Sequence, residues 1–146
     1  MNKQFMLLAI KEAKKAKLID EVPIGAVIVK DGKVIAKAHN LCEKNANPTH
    51  HAELLAINKA LKRLNTNRLT GCELYVTLEP CPMCAGAIIN AKVSEVIFGA
   101  FDIKGGAVSS RVDLFNKGFN HKPTLYEGIC EKECAELLTD FFKQKR

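Results

Sequence analysis

The sequence has no apolar run approaching the roughly 18 residues that a membrane-spanning helix requires. Its longest apolar stretches, Leu7 to Ile10 and Gly25 to Val29, are short. That absence argues against a helical membrane protein, and a soluble chain with no membrane partner is expected. A secretory cleavage site is also missing, because the apolar stretch after Lys3 runs straight into charge at Lys11-Glu12. A cytoplasmic location follows as the expectation, and in a reducing compartment the six cysteines are better explained as metal ligands or buried thiols than as disulfides. No internal repeat or linker divides the 146 residues, so one domain, 1–146, with one core is expected. Acidic residues are the scarcer charge, 16 against 22 Lys and Arg, and the resulting net charge of +6 favours a polyanionic partner.

Periodicity supplies the elements. Residues 2–18 carry Phe5, Leu8, Ala9, Ala13 and Ala16 at helical spacing. Ile24 to Val29 and Val34 to Ala38 flank Asp31-Gly32, the pair that a type I′ hairpin turn prefers. A polar loop containing Pro48 leads to a second helix over residues 50–64, followed by a strand at 74–78. Pro80 ends that strand, Pro82 suits the first turn of a third helix reaching Ala91, and residues 93–98 form another strand. Strand, helix, strand in this order predicts parallel pairing. A glycine-rich loop (99–110), a short helix (112–116), a short strand (124–126) and a closing helix (130–143) complete the chain. The expected fold is α/β, a three-layer α/β/α sandwich around a mixed sheet of about five strands.

The chemistry concentrates at two helix starts, His51-Ala52-Glu53 and Pro80-Cys81-Pro82-Met83-Cys84. Two residues two apart on a helix point roughly 200° away from each other, so His51 and Glu53 can address one site only off the helix end. Side chains lean toward the N-terminus, so a point just beyond the first turn can receive both. One imidazole and two thiolates, from His51, Cys81 and Cys84, make three zinc ligands and leave a fourth tetrahedral position for water, as in catalytic zinc sites. Hydrolytic deamination also needs a carboxylate to move protons, and Glu53 is the candidate. Only His51 of the His50-His51 pair has glutamate two residues on, and His50 reads as a helix-start residue. Cys42, Cys72, Cys130 and Cys134 lack paired ligand spacing and read as structural, the last two on one face of the closing helix. Met83 reads as packing.

His-x-Glu followed by Pro-Cys-x-x-Cys is the pattern of zinc-dependent nucleobase deaminases. Glu21 to Val27, Asn47 to Glu53, Val76 to Ala87, Val96 to Ala100, Asn120-His121, Glu127 to Ile129 and Cys134 to Phe142 resemble bacterial tRNA-specific adenosine deaminases, of the cytidine deaminase-like superfamily, over nearly the whole chain. The resemblance implies one zinc per subunit, a homodimer and a substrate: the wobble adenosine of a tRNA anticodon stem-loop, of arginine tRNA, converted to inosine. It implies that Asn40 reads the flipped base, and that the Ala52 backbone, Val22 and Ile24 enclose it. Asp102, Lys104, Asn120, Phe142 and the tail residues Lys143, Lys145 and Arg146 would hold flanking nucleotides. Departures fall at His50, Phe101 and Ile103, where smaller or more polar residues are expected. Two alternatives stay open: a deaminase of free guanine or cytosine-type bases, which shares the core motifs, and a non-enzymatic module in which zinc staples two helices. Taken alone, the Cys-x-x-Cys also suits a thioredoxin-like redox pair.

Overall fold

In the computed structural model, which describes residues 2–145, the first element is helix α1 (Lys3–Leu18), capped by the Asn2 side chain, which accepts the Gln4 N–H at 2.9 Å. The tail residue Arg146 lies outside the described residues. Strands β1 (Gly25–Lys30) and β2 (Lys33–His39) follow. Asp31 and Gly32 between them have φ of 52° and 75°, the two positive values that a type I′ turn demands. Then come α2 (Ala52–Leu64), β3 (Cys72–Leu78), α3 (Pro82–Ala91), β4 (Glu95–Ala100), a 3-10 turn (Leu114–Asn116), β5 (Thr124–Tyr126) and α4 (Glu131–Gln144).

The five strands form one mixed sheet in the order β2-β1-β3-β4-β5. β1 is antiparallel to both β2 and β3, whereas β3–β4 is parallel, as the strand, helix, strand order predicts, and β4–β5 is parallel too. Alternation along the strands divides the core between the two faces. Ala26, Ile28, Leu74, Val76, Val96 and Phe98 pack with α2 and α3, while Val27, Val29, Tyr75 and Ile97 pack with α1 and α4. The result is the expected α/β/α sandwich. Among the described residues no helix is long and apolar enough to cross a membrane.

Several boundaries differ from the sequence reading. β4 begins at Glu95 because Lys92, in the left-handed region at φ 61°, turns the chain out of α3 and the Val93 N–H returns to the Ile88 carbonyl. α4 begins at Glu131, with Cys130, left-handed at φ 56°, as its N-cap; Cys130 and Cys134 pack against the same core cluster. Cys72, Cys84 and Cys134 are buried, whereas Cys42, Cys81 and Cys130 are half-buried. The helix expected over 112–116 shrinks to three residues, because the Val112 N–H is drawn to the Gly106 carbonyl while its side chain stays exposed.

This topology sets the site. Because β1 runs against β3, the start of β1 lies beside the end of β3, with the end of β2 on one side and the end of β4 on the other. Four connections therefore open at one end of the sheet, where α/β folds bind their ligands. α1 lies directly on that arrangement: a Cβ on Gly25 would be 2.0 Å from the Ala9 carbonyl oxygen, so no side chain fits there.

A buried carboxylate joins α1 to the hairpin. Glu12, 5% exposed, accepts from Lys15 Nζ at 2.7 Å and pairs with His39 Nδ1 at 3.0 Å. Burial pushes its pKa up, but the bonds from Lys15 and His39 outweigh that and hold it below the ordinary value of 4.5. A depressed folded-state pKa adds stability that is complete above the unfolded value and is lost as pH falls through the folded one. Glu12→Gln is thus expected to destabilise the protein by about 1–2 kcal/mol at pH 7, with the deficit shrinking below pH ~4. Urea denaturation of both proteins across pH 3 to 7 checks this, and a deficit that grows on acidification contradicts it.

Candidate active site

Each metal-ligand candidate is placed by a helix start. His51 is the N-cap of α2 and Cys81 the N-cap of α3, both in extended conformation with no side-chain capping bond, so both side chains are free to point off the helix ends. Cys84 stands one turn into α3, and its N-terminal lean returns the thiol to the same point. Cys81 Sγ lies 3.6 Å and Cys84 Sγ 3.7 Å from His51 Nδ1. The three ligand atoms fall within 4.8 Å of one another and could hold a metal ion. His50, by contrast, is a loop residue: its ring lies 2.9 Å from the Asn45 amide and 3.0 Å from that of Asn47, so it pins the turn that presents His51 rather than starting the helix.

Charge is strongly redistributed within the cluster. Cys81 is driven down to about 4, chiefly by the hydrogen bond from the Cys84 thiol and then by His51. Cys84 is pushed up by the Cys81 thiolate beside it and by burial. His51 is raised, first by its bond to Cys81. Glu53, 4% exposed in the first turn of α2, is pushed up to about 7, mainly by burial and further by the Cys81 charge. It is not one of the three clustered ligands, and its carboxyl can carry or release a proton near neutrality.

Asn40, 6% exposed at the end of β2, accepts the Ala52 N–H through Oδ1 at 2.8 Å, and its own N–H reaches the Ile24 carbonyl at 3.2 Å. The Ala52 N–H is therefore occupied in orienting Asn40. With Oδ1 committed, Nδ2 is the group that Asn40 can offer. Val22 and Ile24 are half-buried just before β1, at the same sheet end.

The flanking candidates divide. Val22, Asp102, Lys104 and Phe142 line one cavity of about 410 Å³ with Leu78 and Ile103. Phe142 is 48% exposed there and does not pack in the core. Lys143 is exposed, whereas Lys145 pairs with Asp20 and lies 5.5 Å from the Phe141 ring centroid. Asn120 is not brought to this group. It precedes β5 at the opposite end of the sheet, where its side chain accepts from Lys92 Nζ at 3.1 Å.

Sequence reading passed over two buried carboxylates. Glu21, 1% exposed, accepts the N–H groups of Glu43 (3.1 Å) and Lys44 (2.6 Å) and so ties down the 40–50 loop; Glu79, 2% exposed, does the same for residues 102–110. The only signal for either was an acidic residue inside an otherwise apolar or proline-bounded stretch.

The chain matches the MafB19-like deaminase family over residues 1–146. A tRNA-specific adenosine deaminase of Bacillus subtilis (strain 168) is 51% identical over 143 residues, 97% of this chain and 89% of that protein. The chain belongs to the tRNA-specific adenosine deaminase family. A family structure, described in studies of A-to-I editing by tRNA:A34 deaminases at the wobble position, superposes with a TM-score of 0.91 at 48% identity, covering 94% of this chain and all of that one. The guanine deaminase of Bacillus subtilis lies further off, at a TM-score of 0.66 and 42% identity over 69% of this chain and 66% of its own.

The geometry gives a metal-content test. Cys81→Ser and His51→Ala are expected to retain well under one divalent ion per chain after dialysis, and Glu53→Gln to retain the wild-type amount. Elemental analysis of the purified proteins decides it, and loss of metal from Glu53→Gln would make that residue a ligand.

Proposed function

We infer that this chain hydrolytically deaminates the wobble adenosine of a tRNA anticodon to inosine. The observation that carries the reading is the His51, Cys81 and Cys84 cluster with Glu53 beside it and Asn40 bonded to the adjoining Ala52 N–H, in a chain that matches a tRNA-specific adenosine deaminase over 97% of its length. We propose zinc as the ion. Tetrahedral zinc with Zn–S about 2.3 Å and Zn–N about 2.0–2.1 Å separates nitrogen from sulfur by roughly 3.6 Å, and the observed separations are 3.6 and 3.7 Å. When bound, the ion supplies a water acidified to a pKa of about 7.

The chain's own groups do the rest. Glu53, lifted to about 7 by burial, takes a proton from the attacking water, passes it to the adenine ring nitrogen next to C6, and later helps protonate the departing amine. Asn40 donates from Nδ2 to an acceptor on the flipped base while Ala52 holds its Oδ1. Val22 and Ile24 provide an apolar wall, and Asp102, Lys104, Phe142 and Lys143 border the path of the flanking nucleotides. We take the whole chain as one catalytic domain acting in the cytoplasm. Arginine tRNA is the proposed substrate. A free-base guanine deaminase is the second reading, favoured by the guanine deaminase likeness.

A homodimer is also part of this proposal. The outer face of α3 carries an apolar hollow lined by Gly86, Ile89, Asn90, Leu114 and Phe119, and Phe119 is 56% exposed. Asn120 adjoins Phe119, so a second copy seated there gives Asn120 a route to a site that it cannot reach within its own chain.

Incubation of zinc-loaded protein with unmodified arginine tRNA bearing an ACG anticodon is expected to give inosine at the wobble position, and nucleoside analysis reads it. Ammonia from free guanine with no inosine in the tRNA would move the assignment to the second reading. Glu53→Ala should stay folded and zinc-loaded while losing about 10²–10⁴ in kcat. Phe119→Lys should shift the protein toward monomer in light scattering; an unchanged mass places the interface elsewhere.

A further inference from the structure

Glu79 stands two residues before Cys81, and the hydrolysis makes no use of it. Its carboxylate is 2% exposed and accepts only from the loop that follows β4. Oε2 takes the N–H groups of Val108 at 3.3 Å, Ser109 at 2.9 Å and Ser110 at 2.8 Å. Oε1 takes the Asp102 N–H at 3.1 Å and the Ser110 hydroxyl. Among the described residues no cation pairs with it, so five hydrogen bonds compensate the buried charge. A carboxylate accepts and never donates, so every group facing it must be an N–H or O–H turned inward.

The loop is moulded to this group. A Cβ on Gly106 would lie 2.2 Å from Glu79 Cδ, and the Ala107 N–H donates to the Pro80 carbonyl at 2.9 Å. Asp102 is held three ways: its N–H by Glu79, its carbonyl by the Gly106 N–H at 2.7 Å, and its Oδ1 by the Gly105 N–H at 3.0 Å. Glu79-Pro80 thus joins the turn that presents Cys81 to the loop that presents Asp102 and Lys104 beside Val22 and Phe142.

We propose that Glu79 is a positioning residue for the nucleic acid: it fixes the 102–105 turn relative to the metal cluster, so that nucleotides flanking the target base lie at the offset the base pocket requires. This rests on the reading of that turn as an RNA contact. Gln at position 79 keeps the size but turns one acceptor into a donor. The carbonyl can still serve the three N–H groups at 108–110, the Ser110 hydroxyl can rotate to accept, and the Asp102 N–H is left facing another donor. The release is therefore expected at the 102–105 turn.

The test compares wild type, Glu79→Gln and Gly106→Ala, the last approaching the same contact from the loop side should Glu79→Gln fold poorly. On the tRNA anticodon stem-loop, both variants are expected to keep one zinc per chain and to raise KM about tenfold, with kcat within about twofold. Trypsin should cut the folded variants after Lys104 faster than wild type. A fall in kcat at unchanged KM, or loss of zinc, would overturn the proposal and assign Glu79 to the metal site. Should wild type fail to deaminate the stem-loop, the RNA reading fails instead; unchanged cleavage after Lys104 in both variants then overturns the anchoring role as well.

Discussion

The meeting of two helix N-termini at one point governs this molecule. His51 and Cys81 are N-caps, and their thiol and imidazole approach each other only because α2 and α3 begin at the same sheet end with their first turns converging. Partial positive charge at both helix starts favours the thiolates that a metal needs. Shifting either helix by one residue would rotate its ligand by about 100° and dissolve the cluster. The packing beneath answers to that demand: Ala52, Ala56 and Ala60 of α2 let the helix lie close on β1 and β2, and Ala85, Ile88 and Ile89 seat α3 on the same sheet face.

Three buried carboxylates perform a second task, fastening the hairpin and two irregular loops to the rest of the fold. Glu12, Glu21, Glu53 and Glu79 are all 5% exposed or less, and each faces a different segment. Glu12 secures the hairpin to α1, Glu21 the 40–50 loop and Glu79 the 102–110 loop. Glu53 alone has no loop to hold. Burial raises its pKa to about 7, which suits it to exchanging protons.

Much was legible in the sequence because its signals are local. The Asp31-Gly32 turn, the helix starts at the two motifs and the parallel β3–β4 pair follow from turn chemistry, spacing and connection length. The cluster of His51, Cys81 and Cys84 was legible for the same reason. Cys130 is the N-cap of α4 and not its first helical residue, which was not legible because spacing does not reveal a left-handed backbone. Glu21 and Glu79 were missed because their partners are backbone N–H groups more than twenty residues away, and any residue type supplies an N–H. Asn120 was grouped with the site on resemblance alone, and only the parallel register of β5 shows it at the far end of the sheet.

The sequence by itself determined the chemistry. An imidazole, two thiols and a carboxylate at two helix starts are a donor set whose meaning depends on residue type and on spacings of two and three. Tertiary structure decided which further residues share the site. The antiparallel entry of β1 beside β3 puts Val22, Asn40 and Asp102 at the same sheet end as the cluster and Asn120 at the other. Strand order and direction are settled by the packing of two helical layers on one sheet, a property of the whole chain that no short stretch of it contains.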